Sequence, residues 1–236
     1  MTRQFLAILT KDLLTEARRL QTLLSMLIFA VLVMIVVRYG FSPGTSDDTL
    51  PPGTGALDAD SVVPAGFLWV VFAFAALLGF GRTFAQERED GCMAGLLLCP
   101  VDRFVVFAAK AVANLAFLAL VQVIVVPVFA VFFLEQPAAR YLVCLPVVAL
   151  ADIGLATLGT LLATLLASAR SRDILLPIVL LPFLVPLLIA ATSATAAVIG
   201  HGASLAEVGG RLLFLAAYDV VFLIAAWATC DYLLAE

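Results

Sequence analysis

Charge is what this sequence has least of. Asp, Glu, Lys and Arg make up 13% of its 236 residues, about half their share in an ordinary soluble domain. Hydrophobic residues make up 64%, and the mean hydropathy is +1.16. Such a chain has too little polar surface to face water on all sides, which excludes the soluble globular class. Histidine is nearly missing as well, His201 being the single one, and the cysteines Cys92, Cys99, Cys144 and Cys230 form no CxxC pair. Neither a metal cluster nor a disulfide framework is expected. The chain has no GxxxxGK[ST] loop, so it is not expected to hydrolyse a nucleotide itself. We expect no catalytic residue and no cofactor bound directly. The net charge of −4 says little about partners, because membrane topology follows Lys and Arg rather than net charge. Nucleic acid is not among the expected partners.

What the sequence has in plenty is uninterrupted hydrocarbon. A bilayer core about 30 Å thick takes roughly 20 apolar residues per helical crossing, and six runs meet that length: 20–38, 62–81, 104–134, 141–168, 174–200 and 211–230. Closed β-barrels are the other lipid-spanning solution, but they alternate apolar and polar residues over short strands, and these runs are solid. The expected fold is all-α, a single polytopic membrane domain over 1–236. The first run is too long, and too poorly followed by a cleavage site, for a removable signal peptide; it is expected to remain as the first crossing.

Basic residues give the orientation. With a cytoplasmic amino terminus, ten Lys and Arg fall inside, against Arg38, Arg140 and Arg211 outside. The positive-inside rule then puts both termini in the cytoplasm. The stretch from Tyr39 to Ser61, with Asp47, Asp48, Asp58 and Asp60 among Pro and Gly, is an outside loop. Within 1–19, Phe5, Leu6, Leu9, Leu13 and Leu14 share one helical side, and Arg3, Lys11, Glu16, Arg18 and Arg19 the other. This predicts an amphipathic helix lying in the cytoplasmic interface of the bilayer; a helix packed on its own protein is the alternative.

Between the second and third runs the chain reads FAQEREDGCMAGLLLCP, residues 84 to 100. On a helix Phe84, Glu87, Arg88 and Gly91 share a face, Gly91 suits a helix end, and Pro100 stops the short LLL turn. A charged helix at the inner end of a bundle fits a groove on a soluble partner, the aromatic as anchor and the charges fixing register. A solvated loop whose charges merely keep it out of lipid has the same composition.

FxxExxDGxxxxLLxxP, followed by AxKAxAN at 108–114, resembles the cytoplasmic coupling segment of the haem exporter protein B family, permease subunits of cytochrome c maturation. Further matches are LTKDLLTEARR near the start, the stretch from Leu68 to Gly91, LLLCPVDR, GTLLATL and RDILLPIVLLPFLVPLLIAAT. Together they cover most of the chain, and the last narrows the likeness beyond other export permeases. Family members often carry Asp at the place of Glu87, Thr or Ser at Cys92, Glu at Ala94 and Ala at Cys99. The resemblance implies a bacterial inner-membrane complex. In it a separate P-loop ATPase subunit, which holds the ATP, docks on the coupling segment 82–103 through Phe84, Glu87, Asp90 and Gly91. A haem-handling permease, and through it a periplasmic haem chaperone, completes the assembly, with haem as the pathway's substrate. Whether haem passes through this subunit is left open.

Several residues are costly where they stand. Pro177, Pro182 and Pro186 each remove a backbone donor from the fifth run, giving a hinge or broken helix in one reading and a static kink in the other. Asp152 and Asp219 lie in apolar runs, where a central, unpaired aspartate costs roughly 2.5 to 3.5 kcal/mol. Both are expected to face the interior, as a proton relay or substrate contact or as structural carboxyls. Thr157, Thr160 and backbone carbonyls are the nearby partners for such a carboxyl, and Asp219 is near enough to the outer surface to be wetted instead. His201 in GHGASL reads as a surface histidine rather than a haem ligand, and Cys99 as a small packing residue rather than part of a haem-sensing Cys-Pro pair. GLATLGTLLA, 154 to 163, supplies small residues for close helix packing. Two other functions fit the composition: an ATP-driven export permease for a lipid, glycan or drug, and a proton-coupled carrier or membrane enzyme using Asp152 and Asp219.

Overall fold

The computed structural model describes residues 5–6, 9–12, 20–40, 59–81, 103–133, 139–166 and 172–233. Six long helices follow one another: α1 (Leu20–Gly40), α2 (Ala59–Phe80), α3 (Arg103–Phe133), α4 (Ala139–Leu165), α5 (Arg172–His201) and α6 (Gly209–Leu233). Among the described residues there is no strand. Apolar side chains surround each helix, so no stripe pattern is needed to hold it; in lipid the backbone must satisfy its own hydrogen bonds, and a helix does so within one segment. The helices are 21 to 31 residues long, ample for a core crossing at 1.5 Å per residue. Five carry apolar stretches of crossing length: Val62–Phe80, Phe104–Val131, Arg140–Leu165, Ile174–His201 and Gly209–Thr229. In α1 the apolar stretch so described is Leu27–Val36. The chain is a multi-pass membrane protein.

The expected runs and the helices agree in number and order, with ends displaced by up to three residues. The helices at 59, 139, 172 and 209 start earlier than the apolar runs they contain, because a helix does not have to stop where hydrocarbon stops. The end of α5 has a local cause. Gly202 adopts a left-handed backbone, φ 66°, and its N–H bonds to the Val198 carbonyl at 3.1 Å, a termination that glycine makes without strain.

Helix α4 is the centre, touching α2, α3, α5 and α6. Its small residues sit inside this chain's own bundle. A Cβ on Gly159 would come within 2.1 Å of the Phe80 ring on α2, and Phe80 is itself fully buried, so the notch is filled. Buried leucines at 176, 180, 184 and 187 give α5 a single inward stripe. Outward it shows Ile178, Leu181, Phe183, Val185 and Ile189, as befits a helix whose far side meets acyl chains.

At the amino-terminal end, Thr10 Oγ1 donates to the Leu6 carbonyl at 2.7 Å. Asp12 accepts from Lys110 Nζ at 3.4 Å. Lys110 is almost wholly buried on α3. Asp12 is therefore tied to α3, while Leu6 remains exposed.

Candidate functional site

The two buried aspartates of the bundle lie on two different seams. On the first, α3 and α4 run antiparallel and exchange two side-chain bonds in one register. Asn114 Nδ2 donates to Thr160 Oγ1 at 2.9 Å, and Gln122 Nε2 donates to Asp152 Oδ1 at 2.7 Å. Eight residues separate the bonds on each helix, about 12 Å of rise. Asp152 is buried, so its carboxyl meets the amide inside the protein rather than in lipid, which is what a membrane interior demands of such a group.

The partner is not the one local sequence offered. Thr157 turns back to the carbonyls of its own helix, at Ile153 and at Gly154 (3.3 Å). Thr160 is taken by Asn114. A threonine within a helix finds a carbonyl one turn back at no cost in geometry, so neither reaches Asp152. Gln122 and Asn114 were missed. Their signal lay in the third run, where Lys110, Asn114 and Gln122 interrupt the hydrocarbon four and eight residues apart, on one side of the helix.

The second seam joins α4, α5 and α6. Tyr218 Oη donates to the Phe183 carbonyl at 2.7 Å, between Pro182 and Pro186. The rings of Tyr218 and Phe222 lie 4.6 Å apart, and Phe222 meets Phe183 edge-on at 5.9 Å. Asp219 follows Tyr218 and turns inward. It is buried, not wetted, with 5% of its surface exposed, because α6 lays this face on α4 at a glycine: a Cβ on Gly154 would sit 2.5 Å from Leu187 Cδ1 and 2.6 Å from Asp219 Oδ1. Neither carboxyl oxygen of Asp219 has a hydrogen-bond partner among the described residues.

Helix α5 is continuous from Arg172 to His201 through all three prolines, so the broken helix is not adopted. Pro182 and Pro186 are exposed and Pro177 half-buried. Toward the His201 end of α5, Trp69 Nε1 donates to Thr195 Oγ1 at 3.0 Å, tying α2 to α5, and Arg140 Nη1 donates to the Ile199 carbonyl at 3.0 Å. His201 is exposed at the end of α5. Phe84, Glu87, Arg88, Asp90, Gly91, Cys92 and Cys99 lie outside the described residues, as does most of segment 82–103; α2 ends at Phe80 before it and α3 begins at Arg103 after it. Among the described residues no group of three His, Cys, Asp or Glu is placed to hold a metal ion.

In chemical terms the first seam is glue, since each donor meets an acceptor. The second combines a brace on a proline-rich helix with a carboxyl left without one.

Residues 3–233 match the family model described as CcmB protein. The chain is 35% identical over 127 residues to Heme exporter protein B of Rhodobacter capsulatus, covering 54% of this chain and 58% of that protein, less than two thirds of its length. It is 31% identical over 162 residues to Heme exporter protein B of Pseudomonas aeruginosa, covering 67% and 69%. The protein of the same name from Paracoccus denitrificans is 31% identical over 166 residues, covering 70% and 74%.

Proposed function

The chain belongs to the CcmB protein family, and from that premise we propose that it is the membrane permease subunit of an ATP-driven complex for haem export in cytochrome c maturation. The family match over residues 3–233 carries this reading, because it takes in every helix and the charged segment between α2 and α3. The three relatives bear the name Heme exporter protein B. In this reading the chain crosses the bacterial inner membrane six times with both termini in the cytoplasm, and it is not an enzyme.

A separate P-loop ATPase subunit docks at Phe84, Glu87, Arg88, Asp90 and Gly91. Two acids and an aromatic on a short helix suit a groove on a soluble partner. The Asp12–Lys110 contact supports the arrangement: it brings the amino-terminal segment to the end of the bundle where α3 begins, as two intervening crossings require. Closure of the ATPase would then press on α2 and α3. The polar bonds between α3 and α4 are suited to pass that force inward, and Pro177, Pro182 and Pro186 let α5 yield. The force serves haem export or release of the haem-loaded periplasmic chaperone held by a companion haem-handling permease.

The test is co-purification. Glu87→Lys with Asp90→Lys is expected to strip the ATPase from the membrane subunit while the bundle elutes and melts as before; retention of the ATPase by the folded double variant overturns the docking assignment. Deletion of the chain is expected to abolish c-type cytochromes and leave b-type ones. Normal c-type cytochromes would assign the family fold here to another substrate, such as a lipid, glycan or drug.

A further inference from the structure

Asp152 and Asp219 are the two acids within the apolar stretches of the bundle, and they differ in one respect. Asp152 accepts a hydrogen bond from the Gln122 amide; both oxygens of Asp219 are buried with no hydrogen-bond partner among the described residues. Among the described residues the surroundings of Asp219 hold no free counter-charge. On α4 it faces Gly154, where even one methyl would lie 2.6 Å from Oδ1, and the nearest titratable residue on that helix, Asp152, is engaged by Gln122. On α5 it meets Leu187, and that helix has no titratable side chain from Ile174 to Gly200. On its own helix the Tyr218 hydroxyl is given to the Phe183 carbonyl. On α3, Lys110 is paired with Asp12. A bare carboxylate in such a place is among the most expensive groups a bundle can bury. The close fit against Gly154 and Leu187 argues against a hydrated cation as its companion.

We propose that Asp219 is a proton-binding site of the folded bundle, and that the bound proton holds α6 against the Gly154 face of α4. The ligand is the proton itself: it adds to a carboxylate oxygen, giving the neutral acid, and returns to water when the contact opens. A neutral carboxyl tolerates the apolar junction, whereas an ionised one draws water in and separates the helices. The site therefore links proton occupancy to the α4–α6 contact, beside the prolines of α5. Asp152, held by Gln122, is assigned a structural part. This inference does not depend on the ATPase reading and survives or fails without it.

The experiment uses the full chain in lipid nanodiscs with dicyclohexylcarbodiimide, a reagent that adds to protonated carboxyls in apolar surroundings. Mass spectrometry of the digested wild-type protein is expected to find the adduct on Asp219 from about pH 5 to about pH 8, a range in which ordinary exposed carboxylates are ionised and unreactive. Asp219→Asn is expected to lose that adduct and remain folded. Should the reagent be kept out sterically, infrared difference spectra of the wild type against Asp219→Asn decide: a carboxylic-acid carbonyl band that is lost in the variant supports the site. An ionised carboxylate band at Asp219 across that range, in a folded chain, overturns it.

Discussion

The seam between α3 and α4 and the seam where α5 and α6 meet α4 are built from similar materials to opposite effect. Each has a buried aspartate and a side-chain hydrogen bond to a neighbouring helix. In the first, the aspartate is one end of the bond, and a second bond repeats the register eight residues away. In the second, the bond goes to a backbone carbonyl between two prolines, and the aspartate beside it is left over. Polar groups inside a membrane fix a helix pair when donors and acceptors match; a mismatch leaves a place where occupancy can change the packing. One seam is thus fixed by matched bonds, while the other keeps a buried acid without a partner among the described residues.

The largest effect should come from α4, the helix that both seams share, at its contact with α2. Gly159→Ala forces a methyl into the buried Phe80 ring, and overpacking of this kind typically costs about 1 to 3 kcal/mol; thermal melting in nanodiscs should fall accordingly, near the upper figure, and an unchanged melting point would mean α2 and α4 are not so close. Next is Gln122→Leu, which strands Asp152. Leaving a buried acceptor unsatisfied costs about 1 to 3 kcal/mol, while Asp152→Asn, which keeps an acceptor for the same N–H, should melt close to the wild type. Tyr218→Phe should cost less, about 0.6 kcal/mol, the average for such bonds between membrane helices. Its more telling readout is faster amide exchange from Ile178 to Leu187, since the brace on the proline segment is gone. The smallest effect is expected at Leu213, 72% exposed on the outer side of α6: Leu213→Ala should stay within about 0.5 kcal/mol, because this side chain meets lipid in place of protein.

Helices were the legible part of the fold. Six apolar runs correspond to six long helices among the described residues, five of them with an apolar stretch of crossing length, because the thickness of hydrocarbon sets the length of a run and a helix satisfies its own backbone across it. The interior placement of Asp152 and Asp219 was legible for the same reason: a carboxyl in an apolar run has nowhere else to go. Their surroundings were not. Asp152 finds its amide thirty residues away on α3, and Asp219 owes its burial to the absence of a side chain at Gly154, a contact across 65 positions that no local pattern encodes. The docking residues stand as the sequence and the family resemblance present them, outside the described helices.

By itself, then, the amino-acid order determined that this chain lives in a membrane, where its long helices run among the described residues and which family it belongs to; those properties follow from summed hydrophobicity along a segment and from motifs that are contiguous in the chain. Tertiary structure alone decided which buried acid is partnered and which is not. Hydrogen bonding is a matter of a few tenths of an ångström between side chains on different helices, and that distance is set by how glycines, aromatics and prolines let the helices approach.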